Sequence, residues 1–246
     1  LFPQWKGDRR DSNPRQPEPQ SGVLPTELRP PLMNSSTIPS PWGAAKPAGT
    51  PVVAITGTIA AGKSTLGRLL TEKGWRVIDA DEIVHRLYRR GEEGYRKLVD
   101  ALGEGILSSS KDLDRGLLAA AMIRDPSVTA TVNRLIHPIV RETWIAEVGE
   151  SLRRSPHQPV AVVIPLLYEA GVEEPFDLRV MVGCRASISR QRLIARGLTA
   201  AAADFWIAQQ WTAEAKAKAS DRVLWNEGSL ELLRDQAEWL VKPRVG

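Results

Sequence analysis

Cysteine is almost absent from this chain, and the single one, Cys184, rules out an intrachain disulfide or a metal site built from several thiolates. That scarcity fits a reducing compartment. Cys184 closes the apolar run VMVGC and reads as a small buried hydrophobe. Histidine is scarce too, and the three at positions 85, 137 and 157 are too scattered for a metal cluster. No apolar run approaches the roughly 20 residues needed to cross a bilayer, and the chain does not begin with a charged stretch followed by an apolar one. A cytoplasmic protein without a membrane partner is expected. The net charge of +4 is not gathered into a Lys/Arg block, so no nucleic-acid partner is expected either. The guanine-reading NKxD pattern is missing, and the only DxxG, at 100–103, falls in a helical segment. Both absences argue against a nucleotide-operated switch.

What is present begins with proline. Residues 1–51 hold eleven of the eighteen prolines with little apolar periodicity, so this segment is expected to remain disordered. The chain starts at Leu1, and the natural start is expected at Met33. From Val52 the pattern changes to short β-rich apolar runs alternating with helical stretches, which predicts βα units around a parallel sheet. At 246 residues and 42% hydrophobic, the chain can bury one sizeable α/β core. Strands are expected over 52–56, 75–78, 160–164, 178–182 and 222–225. A first helix over 63–73 should stop at Gly74. About 80 residues separate the second and third strands, too many for one ordinary crossover. This insertion, about 82–153, reads as helices over 82–89, 95–101, 115–123, 127–135 and 139–153, a natural place to hold a second substrate.

The strongest local signal is VVAITGTIAAGKST, which carries GxxxxGKS from Gly57 to Ser64 between a strand and a helix. Such a turn aims backbone N–H groups inward and cradles phosphate without spending side chains. ATP-binding candidates are therefore Gly57, Thr58, Ile59, Ala60, Ala61, Gly62, Lys63, Ser64 and Thr65. Lys63 brings positive charge, Ser64 a hydroxyl for the Mg²⁺ that accompanies ATP, and Thr65 a further hydroxyl near an inner phosphate.

Phosphoryl transfer then needs an acid near the acceptor hydroxyl and arginines that fork onto phosphate. VIDAD sets Asp79, a candidate for binding substrate, and Asp81 at the carboxyl end of the second strand, the edge where ligand clefts of open α/β sheets lie. Asp81 is read as the acid, against a capping role for the helix starting at Glu82. Arg192 and Arg196 share a helical face in CRASISRQRLIARG, where two guanidinium groups can close over the triphosphate of ATP, against the alternative of a solvated basic helix; with the following helical stretch GLTAAAADFWIAQQ they suggest a lid over about 185–215. Trp206 and Trp211 are candidates for covering a ring there, beside the ordinary reading of core tryptophans. Glu169 in PLLYE, at the end of the third strand, is a candidate for contacting substrate. His137, before Pro138, is expected to begin a helix and is a weaker candidate.

The phosphate loop, VIDADEIVHRL, LDRGLL, VNRLIHP, IPLLYE, RQRLIARGLT and SDRVLWNEGS occur in that order, and with them the chain resembles the dephospho-CoA kinase family from Val52 to Leu240. The resemblance implies ATP-dependent phosphorylation of the ribose 3′-hydroxyl of dephospho-CoA, the last step of coenzyme A synthesis. It implies a three-layer α/β P-loop fold like that of nucleoside-monophosphate kinases, with a five-stranded parallel sheet, a helical substrate-binding insertion and a helical lid within a kinase domain at 52–242. By position, Lys63 would stabilise the transferring phosphoryl group, Ser64 would reach Mg²⁺, Asp81 would serve the acceptor hydroxyl and Arg192 would clamp phosphate. Asn133, His137 and Pro138 match one family pattern in the substrate domain, and Asp114 with Arg115 match another. The implied partners are ATP and dephospho-CoA, the chain being a monomer or weak homo-oligomer. Thr58 and Ala60 stand where the family usually has glycine, and a β-branched Thr58 would resist positive φ. Trp206 replaces a common arginine, and Gly197 a usual acid or asparagine. Another P-loop kinase, for a nucleoside monophosphate or a sugar-like acceptor, is the alternative from the residues alone.

Overall fold

The structure is a computed structural model and describes residues 41–42, 46–172 and 174–241. The apolar runs form β1 (Val52–Gly57), β2 (Arg76–Asp79), β3 (Val160–Val163), β4 (Leu178–Gly183) and β5 (Arg222–Trp225). They pair in parallel in the order β2-β3-β1-β4-β5. The expected five-stranded parallel sheet is present, with β1 and β3 buried along their whole length. Burial on both faces explains why these strands read as continuous apolar runs and not as alternating ones.

The two faces of the sheet are covered by different helices. On one side Val53 and Ile55 of β1 pack with Leu66, Leu69 and Leu70 of α1 (Lys63–Glu72) and Leu233 and Ala237 of α9 (Leu230–Val241). On the other, Val52 and Ala54 meet Trp144, Val148 and Leu152 of α5 (Pro126–Arg154). Successive strand residues thus serve opposite layers, the period-two rule at work within an apolar run. The remaining helices are α2 (Ala80–Leu87), α3 (Glu93–Leu102), α4 (Arg115–Arg124), α6 (Ala186–Ala195), α7 (Ala200–Ala208) and α8 (Ala213–Ala219). A third core joins the helices between β2 and β3 to the late hairpin. It contains Val84, Leu98, Leu118, Met122, Val132 and Ile136 together with Leu193, Ala203 and Trp206, and also Ile59 and Ala60 of the phosphate loop. Trp206 is therefore a core residue at 5% exposure, edge-on to Phe205 at 5.1 Å, and not a cover for a ring.

Several boundaries differ from expectation for identifiable reasons. The helices expected over 127–135 and 139–153 are one helix, α5, with Pro138 inside it and Asp125 as its N-cap. Proline removes one backbone donor, but the buried stripe Val132, Ile136, Ile139 runs through the site at helical spacing and packing holds the axis. His137 consequently lies mid-helix and begins nothing. Gly74 ends α1 as expected, at φ +84°, its N–H donating to Thr71 O at 2.9 Å. Ahead of the expected boundary at residue 51, Trp42 is 4% exposed, its ring tilted against that of Phe176. The expected start at Met33 lies outside the described residues. Among the described residues no helix is long and apolar enough to cross a membrane.

Gly57, where β1 turns into the phosphate loop, has φ +148°, and a Cβ there would stand 1.9 Å from Val182 O of the neighbouring strand. Backbone cannot retreat as a flexible side chain can. Gly57→Ala is expected to cost at least about 3 kcal/mol in urea unfolding, from strain plus overpacking. A midpoint equal to that of the wild type would contradict this packing.

Candidate active site

The loop between β1 and α1 forms because each non-standard backbone angle has a residue that tolerates it. Gly57 and Gly62 take positive φ, at 148° and 105°, and Ala60 does so at 56°. The left-handed conformation at Ala60 costs about 1–2 kcal/mol relative to glycine. Thr58 is spared it, since it is not among the described positive-φ residues, so its branched side chain meets no conflict. Its N–H donates to Val182 O at 3.2 Å. Gly62 is the N-cap of α1 and supplies no side-chain cap, leaving the first-turn amides facing outward beside Lys63, Ser64 and Thr65. An uncapped helix start with the dipole's positive end is a site for anions.

Lys63 is 8% exposed, and its ammonium donates to Thr58 O at 2.9 Å and Gly57 O at 3.3 Å. Burial, with help from the ammonium of Lys216, lowers its pKa to about 8, while Asp81, Asp79 and Glu169 act in the opposite direction. Ser64 is exposed and Thr65 half-buried.

Asp79 and Asp81 divide their work in a way the sequence did not separate. The helix cap is Asp79, whose Oδ1 accepts from Asp81 N at 2.9 Å, and α2 begins at Ala80. The capping alternative for Asp81 is thereby removed, and Asp79, expected to bind substrate, is committed to the helix. Burial raises the Asp79 carboxyl to about 6, and the neighbouring charge of Asp81 adds to that. Asp81 instead lines a cavity of about 300 Å³ together with His137, Pro138, Arg141, Trp144 and Pro165. Asn133, half-buried, lies one helical turn before His137 on α5. Burial lowers the pKa of His137 to about 4, so the imidazole is neutral at pH 7.

The other substrate-side candidates also make contacts within the protein, although Glu169 Oε2 is buried without a hydrogen-bond partner. Asp114 caps α4, accepting from Gly116 N at 2.8 Å and Leu117 N at 3.0 Å. Arg115 hydrogen-bonds the Nε2 of His85 on α2. Glu169, expected to touch substrate, accepts from Trp211 N at 2.8 Å and pairs with Lys216 at 3.0 Å. Trp211 itself stacks on Tyr168 at 5.4 Å.

From the opposite side, the late hairpin grips the phosphate loop. Arg192 donates to Ala60 O at 3.2 Å and Asn226 O at 2.9 Å. Arg196, one turn further, is exposed at the end of α6, so the two arginines do not converge on the loop backbone. Ser189 Oγ donates to Ile59 O at 2.7 Å and Gln210 Oε1 accepts from Ile59 N at 2.8 Å, so both backbone groups of Ile59 are held. Cys184 is buried with its Sγ 3.2 Å from Ser189 Oγ, as a small core residue would be.

Sequence reasoning missed three residues here. Lys216 is fully buried and donates to Gly57 O at 3.2 Å and Pro165 O at 2.9 Å. Asn226 donates its Nδ2 to Ala61 O at 2.7 Å, and Gln210 holds Ile59. Asn226 lies within SDRVLWNEGS, a stretch that carried resemblance without any role. Lys216 in AEAKAKAS looks like solvated helix surface, and nothing local marks it.

The family model described as dephospho-CoA kinase matches residues 51–231. A curated dephospho-CoA kinase of Geobacillus kaustophilus is 37% identical over 194 residues, covering 78% of this chain and 96% of that one. The dephospho-CoA kinase of Symbiobacterium thermophilum is 38% identical over 189 residues, covering 76% and 78%. Among solved structures, TT1252 from Thermus thermophilus superimposes with a TM-score of 0.63 at 30% identity, covering 78% of this chain and 96% of that one. The dephospho-CoA kinase from Campylobacter jejuni, at 22% identity and a TM-score of 0.56, covers 77% and 94% and shares the fold.

Two outcomes test this geometry. Removing one partner of a buried pair strands the other, so Lys216→Ala should lose about 3–5 kcal/mol in chemical denaturation. A loss below about 1 kcal/mol would mean that the ammonium is solvated. For His137, the unfolded chain takes up a proton near pH 6.5 and the folded one only near pH 4. Its contribution is complete above pH 6.5 and is lost as pH falls toward 4, by up to about 3 kcal/mol. Asp79 runs the other way, because its raised pKa favours the folded protein as pH falls through 6. Comparing wild type with His137→Gln cancels that opposing trend. Identical pH profiles for the two proteins would show that the imidazole is accessible to water.

Proposed function

The chain belongs to the dephospho-CoA kinase family, and from that premise we propose how its own residues divide the reaction. It is a kinase, and it phosphorylates the ribose 3′-hydroxyl of dephospho-CoA with ATP, giving coenzyme A and ADP. We assign the uncapped loop 57–65 to the β- and γ-phosphates of ATP. The observation that carries this assignment is the adjoining cavity of about 300 Å³, which has Asp81 in its wall and whose carboxylate acts electrostatically on the buried ammonium of Lys63. Donor charge and acceptor acid are thus close enough to act on each other.

In the free protein, Lys63 spends its donors on Gly57 O and Thr58 O. Incoming phosphate oxygens would take over those donors without moving the side chain far. A buried ammonium interacts more strongly with developing charge than a hydrated one does. Asp81 would orient the acceptor hydroxyl and receive its proton as the oxygen attacks. Asn133 and the neutral His137 would line the acceptor's path, His137 as a hydrogen-bonding and shape-fixing group and not as a charge. Arg192, tethered to the carbonyls of Ala60 in the loop and of Asn226 after β5, would add its fork to the phosphates, and Arg196 would approach only if the lid, α6 and α7, closes further.

The residues fit Mg²⁺ in one respect. Among the described residues no three His, Cys, Asp or Glu side chains converge, while the Ser64 hydroxyl is exposed on the first turn of α1. That donor set suits an ion held chiefly by phosphate oxygens and water, with Ser64 as the protein ligand. When bound, Mg²⁺ would neutralise phosphate charge.

The test is ADP release from ATP with magnesium and dephospho-CoA, cytidine monophosphate or no acceptor. Turnover should require dephospho-CoA, and ADP release indifferent to it would defeat the acceptor assignment. Lys63→Ala and Asp81→Asn should each lower kcat by about a hundredfold or more with the fold retained. Arg192→Lys should also lose activity, since it keeps charge but not the planar fork. Unaltered kinetics in a folded Asp81→Asn protein would remove the proposed acid.

A further inference from the structure

The family match begins at residue 51, yet the packed structure reaches further back. Trp42 is buried to 4% exposure, and its ring lies 5.7 Å from that of Phe176, which lies 5.7 Å from that of Trp144. Trp144, itself 1% exposed, forms part of the wall of the Asp81 cavity. The stretch around Phe176 joins the same wall a second time, because Glu174 pairs with Arg141, another cavity residue. Residues 46–52, which follow in the chain, are fastened at separate points. Lys46 pairs with Asp177, Thr50 Oγ1 donates to Pro156 O at 2.7 Å, and Val52 N donates to Asp177 Oδ2 at 2.6 Å.

From this arrangement we infer that Trp42 is a positioning residue for the acceptor: through Phe176 and Trp144 it holds the cavity wall that dephospho-CoA meets. The inference rests on the proposed assignment of that cavity to the acceptor. The physical reason is packing. An indole is among the largest side chains, and truncating it leaves a void behind Phe176 into which the ring relaxes. Trp144 then loses its backing, and the wall it forms moves with it. The phosphate loop is not reached by this route. Its residues Ile59, Ala60 and Ala61 belong to the other two cores, whereas Trp42, Phe176 and Trp144 share one. The effect should therefore fall on the acceptor and not on ATP. The indole Nε1 has no hydrogen-bond partner, so phenylalanine would keep the ring contact without breaking a bond.

The experiment is steady-state kinetics on the full chain with each substrate varied in turn, folding being checked by near-UV dichroism. Trp42→Ala should raise KM for dephospho-CoA about fivefold and leave KM for ATP within about twofold, a coupling typical of packed networks. Trp42→Phe should restore nearly wild-type values, which a loss of stability alone would not explain. If Trp42→Ala does not fold, Trp42→Leu carries the same comparison with a smaller rise expected. Equal changes in both KM values, or an unchanged acceptor KM in the folded variant, overturns the inference. Ala170→Trp separates the two claims, since Ala170 also lines the cavity and a bulky ring there should block the acceptor. An acceptor KM indifferent to Ala170→Trp would refute the cavity assignment itself. A raised KM there beside an unaffected Trp42→Ala would refute only the role of Trp42.

Discussion

Two ammonium groups share one carbonyl. Lys63 from the loop and Lys216 from α8 both donate to Gly57 O, and Lys216 extends to Pro165 O and Glu169. Each cation is largely removed from water, so each needs acceptors that cannot drift. The carbonyls at the carboxyl ends of β1 and β3, together with one carboxylate, provide them. This fixes the end of the central strand and hence the start of the phosphate loop. Repulsion between the two cations is part of what lowers the Lys63 pKa to about 8, and the nearby carboxylates moderate it. The loop is thus set into a balance of buried charges, to which Asp81 contributes.

The second constraint is that the loop belongs to more than one body of the fold. Ile59 is held at its N–H by Gln210 and at its C=O by Ser189, while Arg192 reaches Ala60 O. The side chains of Ile59 and Ala60 lie in the core shared by the helices between β2 and β3 and the α6–α7 hairpin. Any movement of the hairpin is therefore felt by the loop backbone directly. The cavity walled by Asp81 is built differently. Its lining comes from α2, α5 and the stretch after β3, and the unbroken α5 contributes His137 and Trp144.

Much of this was legible in the residues. GxxxxGKS after an apolar run marked a strand-to-helix turn, and both of its glycines adopt the positive φ that glycine accepts readily. The parallel sheet followed from runs apolar on both faces. Other readings failed where a local signal was overruled by packing. Pro138 suggests a helix break, but the continuous buried stripe of α5 prevails. Trp206, read as a possible cover for a ring, is core. The capping role open to Asp81 went to Asp79 because α2 begins earlier than its apolar pattern indicates.

The chain by itself determined the order of strands and helices, the phosphate loop and the family, since these depend on local backbone preference and on motifs read in sequence. Tertiary structure alone decided which distant groups meet. Lys216 lies 159 residues from Gly57, Arg192 lies 132 from Ala60 and Asn226 lies 165 from Ala61. A lysine in an alanine-rich helix has no local mark of burial, and a tryptophan in a proline-rich lead has none of packing. Both acquire their places only when the sheet closes and distant side chains compete for the same buried space, a competition that no stretch of sequence records.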